Sequence, residues 1–194
     1  MNKIIKNALI LVAITLVSGI CLGVVYEITK EPIAAAEEQA KIEAWQAVFP
    51  EADMDSFNPV DVDASASEEA ASTLDIKANV DEVCEVTDLG YVVTVTDSEG
   101  FGGDIQITVG LTSDGTVNGI SVLSISETAG LGMRADDPSF YSQYVGQNTT
   151  GFYVSKDGGN GTSIDALSGA TITSRAFTGA VNMALTYYQL ALAE

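Results

Sequence analysis

Asp165-Ala166-Leu167-Ser168-Gly169-Ala170-Thr171-Ile172-Thr173-Ser174 is a run of small and hydroxylated residues that leads directly into an apolar segment, Arg175 to Ala193. Phe177, Val181, Leu185, Tyr188 and Leu192 follow one another at spacings of three or four, which places them on one face of a helix. Thr173 or Ser174 is the expected N-cap. A helix with one apolar stripe needs a surface to lie on. The free N–H groups at its start, together with the helix dipole, favour an anion such as a phosphate. Taken alone, the same run also suits an ordinary capped helix.

The surface for that helix comes from the preceding segment. Asp104 to Leu111 alternates through Ile105, Ile107 and Val109, and it reads as a strand together with Tyr91 to Thr96 and with Thr116 to Ile125, which runs through Val117, Ile120, Val122, Leu123 and Ile125. Asp114-Gly115 makes the second connection a hairpin turn, and Glu99-Gly100-Phe101-Gly102-Gly103 makes the first. The glycines in that turn fit neither a dinucleotide motif nor a P-loop. The expected fold class is therefore α+β, an antiparallel sheet covered by helices. Pro138 to Val145 reads as a further short helix with Phe140, Tyr141 and Tyr144 in the core.

Asn7 to Tyr26 is 20 residues without a charge, long enough to span a bilayer. Lys3 and Lys6 precede it and Glu27 follows, which orients the N-terminus to the cytoplasm. The run exceeds a typical signal-peptide core, and Ile20 rather than a small residue precedes Cys21, so an uncleaved anchor is the expectation. Gly19 and Gly23 offer a close approach for another membrane helix. Pro32 is expected to break the helix, with a separate amphipathic helix over residues 34–50 whose apolar face is Ile42, Trp45, Val48 and Phe49. The expected organisation is residues 1–33 as cytoplasmic stub and anchor, 34–50 as connecting helix and 51–194 as a globular domain. Within that domain, 51–88 holds 12 acidic residues and one Lys and reads as a partly irregular insertion. Residues 89–192 form its core.

All 27 acidic residues lie at or beyond Glu27, with six Lys or Arg in that portion, so its formal charge is 6 − 27 = −21. Such a surface repels nucleic acid. The chain has no histidine, which excludes Ser-His-Asp and Cys-His catalysis and imidazole metal sites. Two cysteines, Cys21 and Cys84, are too few for an ordinary iron–sulfur cluster. No catalytic residue and no metal site is expected; redox chemistry, if any, belongs to a bound cofactor. Lys156, before Asp157-Gly-Gly-Asn-Gly161, is a rare cation near the hydroxyl-rich run and a candidate for a phosphate or a polarised carbonyl. Glycines at 130 and 132 in Ser126-Glu-Thr-Ala-Gly-Leu-Gly132 let backbone approach a ligand closely.

The order Asp165-x-x-Ser168-Gly169-Ala170-Thr171 resembles the flavinylation motif of the FMN-binding domain family. Glu127-Thr128-Ala129-Gly130-Leu131-Gly132 is similar to a second loop of that family, with Ala129 where proline is usual. The resemblance implies FMN joined through its phosphate to the Thr171 oxygen by a separate flavin transferase. It further implies that Ser168, Gly169 and Ala170 shape the attachment turn, that Glu127, Thr128 and Leu131 line the ring, and that Lys156 offsets negative charge. Asp165 would be read by the transferase. In its order of elements the chain resembles the G subunits of Rnf ion-translocating electron-transport complexes, cousins of the C subunit of the Na⁺-pumping NADH:quinone reductase. The resemblance implies electron relay between ferredoxin and NAD coupled to Na⁺ or H⁺ transport, other Rnf subunits as partners, lipid around residues 7–26, and an extracytoplasmic FMN domain on the cell membrane. A stand-alone flavin reductase, a subunit of the quinone reductase and a non-redox tethered module are the alternatives.

Overall fold

The computed structural model describes residues 3–193. The chain divides into two compact units, residues 1–41 and 42–194. Helix α1 (Lys3–Val48) is continuous through Pro32, which corrects the expected break. Proline removes one N–H and crowds the preceding turn, at about 3 kcal/mol. The Ala-rich, proline-free run from Ala34 to Ala40 favours helix at nearly every position and carries the element past it. In the first unit α1 is long and apolar enough to cross a membrane, and the helix's buried residues are Ala44, Trp45 and Val48 alone.

The second unit is built on a five-stranded antiparallel sheet in sequential order: β1 (Phe57–Val60), β2 (Ala78–Val86), β3 (Gly90–Asp97), β4 (Ile105–Thr112) and β5 (Val117–Ile125). The last three are the strands expected from the sequence. Residues 51–88, expected as a partly irregular insertion, supply β1, β2 and helix α2 (Ala64–Leu74). Asp81 and Glu85 of β2 are exposed while Val80, Val83 and Val86 are buried. Helix α2 buries only Ala66, Ser67 and Ala70, small residues that permit a close approach to another helix. Asp63 caps it: its carboxylate accepts the Ser65 hydroxyl and the Ala66 and Ser65 N–H groups, which hold its pKa below the ordinary range.

Both faces of the sheet are covered. On one, α2 and α4 (Thr171–Tyr187) enclose the main core, which includes Val93, Val95, Ile107, Val109, Phe177 and Leu185. On the other, the end of α1 packs Trp45, Val48 and Phe49 against Phe57, Cys84, Val86 and Val92. The apolar face read for this helix therefore packs on its parent domain, with Trp45 stacked on Phe57 at 5.8 Å. Gly110 and Gly119, cross-strand partners, leave the sheet bare beneath Val48. A Cβ on either would come within 2.9 Å of Val48. The Asn118 amide donates to the Val48 carbonyl at 2.6 Å and satisfies the helix end. Burial pushes the Cys84 thiol up to about 12, with Glu82 and Glu85 adding to the effect, so it stays protonated and inert.

After β5 come a 3₁₀ turn (Gly132–Asp136), the short α3 (Pro138–Tyr141), and a parallel pair, β6 (Phe152–Val154) with β7 (Thr162–Ile164). The sheet thus delivers the 98–104 turn and the 126–132 loop, and the β6–β7 pair delivers the 155–161 loop, to the start of α4.

Candidate functional site

Helix α4 begins at Thr171, six residues before the apolar periodicity starts at Phe177, and its N-cap is Ala170. The expected caps, Thr173 and Ser174, lie inside the first turn and are buried. Ser174 ties the loop to the helix instead. Its Oγ accepts the Leu167 N–H at 3.0 Å and donates to the Ala170 carbonyl at 2.9 Å. The first main-chain bond of the helix runs from Ser174 N–H to Ala170 O at 3.0 Å. The N–H groups of Thr171, Ile172 and Thr173 precede that bond and are the orphan donors of the helix start. Thr171 is therefore the first helical residue, where the dipole most favours negative charge.

A cavity of about 430 Å³ opens at this point, within the range of small-ligand sites. Four segments wall it: the 98–104 turn through Phe101, the post-β5 loop, the β6–β7 loop and the start of α4. Of the residues expected to bind a cofactor, Glu127, Thr128, Leu131, Lys156, Gly169, Ala170 and Thr171 all line it. Ser168 does not. It is exposed and lies with Asp165 on a separate depression of about 270 Å³ beside Arg134 and Gln143. Gly169, at φ +80°, turns the chain between the two. The Asp165 backbone is clasped by one side chain: Gln143 accepts its N–H at 2.8 Å and donates to its carbonyl at 3.3 Å.

Lys156 Nζ donates to Thr171 Oγ1 at 3.3 Å, which puts the only cation among the cavity's lining residues on that hydroxyl. The neighbouring Asp157 is held by Arg175, one turn into α4, through a bidentate ion pair whose Nε–Oδ2 distance is 2.8 Å. That bond keeps the Asp157 carboxyl below the usual range and fixes the loop that carries Lys156.

Glu127 is 9% exposed. Its Oε1 accepts the Phe101 N–H at 2.7 Å, and its Oε2 is buried without a partner among the described residues. A Cβ at Gly132 would come within 2.7 Å of both Glu127 Oε2 and Thr173 Oγ1, so only glycine permits this approach. An orphaned buried acceptor is costly unless a ligand donor or a proton meets it. Three large apolar side chains are exposed on the same cavity: Phe101 at 67%, Ile172 at 48% and Leu131 at 43%. Exposed apolar walls, one unsatisfied acceptor, one cation and orphan N–H groups fit a flat aromatic ligand bearing a hydrogen-bond donor and a phosphate. Sequence reasoning singled out Gly132 for close approach but missed Phe101, Ile172 and Thr173 as lining residues; the Gly-Phe-Gly-Gly run was the available signal for Phe101. A larger depression of about 760 Å³ beside Asp114, Thr149 and Tyr188 has Glu85 and Asp114 in its wall and no cation among its lining residues, so it suits a phosphate poorly.

Residues 100–186 match the model of the FMN-binding domain, and residues 1–48 match that of the RnfG N-terminal region. The chain is 31% identical to the G subunit of the Na⁺-translocating ferredoxin:NAD⁺ oxidoreductase complex of Acetobacterium woodii, over 96% of this chain and 92% of the relative. It is 35% identical to the G subunit of the proton-translocating ferredoxin:NAD⁺ oxidoreductase complex of Clostridium ljungdahlii, over 87% of this chain and 83% of the relative. Among solved structures it is similar to NqrC of Shewanella oneidensis, at 26% identity and a TM-score of 0.44 over 56% of this chain and 60% of that one.

Proposed function

The chain belongs to the family of G subunits of ion-translocating ferredoxin:NAD⁺ oxidoreductase complexes, the Rnf complexes, and from that membership we propose that it carries FMN esterified through phosphate to Thr171 and relays electrons within such a complex. The observation that carries the site assignment is the placement of Thr171: first residue of α4, on the cavity, with Lys156 Nζ at 3.3 Å. Bound there, FMN supplies the electron-carrying chemistry that the side chains lack. The protein's part is to hold and orient it. The orphan N–H groups of α4 and the Lys156 ammonium balance a phosphodiester charge. The Asp157–Arg175 pair keeps that ammonium in place, Thr128 and Leu131 bound the space above the helix, and Gly169 and Ala170 keep the approach to Thr171 open. Glu127 Oε2 offers an acceptor to a ligand N–H or O–H.

A phosphoester tether also prevents loss of FMN by dissociation, an advantage if the domain faces the exterior. That orientation follows from Lys3 and Lys6 ahead of the apolar run. In this reading α1 anchors the protein in the cell membrane beside its partner subunits, and a flavin transferase reads the loop around Asp165 and Ser168. Protein made alongside a flavin transferase tests the proposal. A fluorescent band on a denaturing gel, with the mass of FMN less one water on the Thr171 peptide and no adduct in Thr171→Ala, is expected. An adduct on Thr173, which is buried beneath the cavity, would refute the site and spare the function.

A further inference from the structure

The turn between β3 and β4 hangs on two buried carboxylates. Asp97, at the end of β3, is fully buried. Its Oδ1 accepts the Glu99 N–H at 2.8 Å, and its Oδ2 has no partner among the described residues. It lies against α4, where a Cβ at Gly179 would come within 2.8 Å of Oδ2. From the other side Glu127 Oε1 accepts the Phe101 N–H at 2.7 Å. The glycines of the turn are pressed against their surroundings. A Cβ at Gly100 would sit 2.2 Å from the Gly103 carbonyl oxygen, and one at Gly102 would sit 2.1 Å from that of Ser126. Backbone this tightly held at both ends fixes where Phe101 stands. Phe101 nevertheless leaves its ring 67% exposed on the cavity wall, alongside the exposed Leu131 and Ile172. A phenylalanine left in water forgoes about 2 kcal/mol of burial, and two buried carboxylates spent on aiming it need a reason.

We propose that Phe101 is a ring-contact residue, packing against the isoalloxazine of the FMN held at Thr171, and that Asp97 is the positioning residue that keeps it there. The inference rests on the FMN reading above. An aromatic side chain packs on a flat ring in offset or edge-on contact, and the 98–104 turn is the one cavity segment that presents an aromatic residue.

The test uses the full chain, made with a flavin transferase and kept in detergent, and reads flavin emission in the native state against the same sample in denaturant. That ratio is independent of loading. In Phe101→Trp an indole in contact with the ring quenches by electron transfer, and the native emission falls roughly fivefold relative to wild type. Val145→Trp, exposed and absent from the cavity wall, leaves the ratio as in wild type. In Phe101→Ala, quenching by iodide rises roughly twofold as one face of the ring loses its cover. Asp97→Ala shows the same loss of protection, and Asp97→Asn, which retains an oxygen for the Glu99 N–H, restores it. Unchanged native emission in Phe101→Trp, or equal quenching from Val145→Trp, overturns the proposal. A wild-type chain with no fluorescent band on a denaturing gel overturns the FMN reading and this inference with it; a band with unchanged emission overturns this inference alone.

Discussion

Replacing Asp97 by asparagine changes how the stability of the fold depends on pH, and the sign and size follow from its surroundings. Burial raises the Asp97 carboxyl from 3.8 to about 6; the Glu99 N–H bond opposes the rise, and the Glu99 and Asp104 carboxylates add to it. The native state thus holds a proton on Asp97 that the unfolded chain releases between pH 3.8 and about 6. Native protein binds more protons in that window, so stability falls as pH rises through it. The favourable contribution is complete below 3.8 and gone above about 6. At about 1.4 kcal/mol per pH unit, this gap amounts to about 3 kcal/mol as an upper value. Asparagine keeps an acceptor for the Glu99 N–H and carries no charge at any pH. Urea unfolding of the full chain in detergent, from pH 4.5 to 8, measures the effect. Trp45, the single tryptophan, is buried against Phe57 and reports on the globular unit. Other carboxylates bend both curves alike, so the difference between variant and wild type isolates Asp97. Asp97→Asn gains about 2 kcal/mol on wild type between pH 4.5 and 8, the part of the gap that lies above pH 4.5. Parallel curves across that range would refute a buried, proton-binding Asp97.

Three other perturbations have defined outcomes. Gly119→Ala, where a Cβ would meet the Val48 main chain at 2.9 Å, destabilises the globular unit by about 1–3 kcal/mol in the same urea assay, with φ unstrained. Ser174→Ala leaves the buried Leu167 N–H without its acceptor and costs about 1–2 kcal/mol, seen as a lower unfolding midpoint at unchanged slope. Attaching FMN to Thr171 raises the melting temperature, and Lys156→Gln, measured by differential scanning fluorimetry, shrinks that gain while leaving the unloaded chain within about 0.5 kcal/mol of wild type.

Strands β3 to β5 were legible because they are rich in Val, Ile and Thr and their turns carry glycine. The long apolar run and the face of Trp45, Val48 and Phe49 were legible from length and period. Helix α2 was not, because it packs through alanines, and small residues leave no hydrophobic period to read. Pro32 misled because a local breaking rule was weighed without the helix-forming run that follows it. The start of α4 was misplaced because Ser174 has the chemistry of a cap yet turns back to bond Ala170. The cluster at Thr171 came from motif order, and the structure brings seven of its eight expected binding residues onto one cavity. Phe101 stayed hidden, since nothing in a Gly-Phe-Gly-Gly turn says which way its ring is presented; that depends on Asp97 and Glu127, which are far apart in sequence.

The pairing of β6 with β7 has a consequence for how this family can vary. Parallel neighbours ordinarily need a return of a dozen residues or more, and here residues 155–161 make it in seven, with glycines at 158, 159 and 161 in positive φ. A return so taut has no slack to absorb an extra residue without shifting the ammonium it carries. The length of this span is thus constrained more tightly than that of the other connections, and its glycines and Asp157 are constrained with it. A designer seeking to graft a reporter peptide into this domain should avoid that span for the same reason.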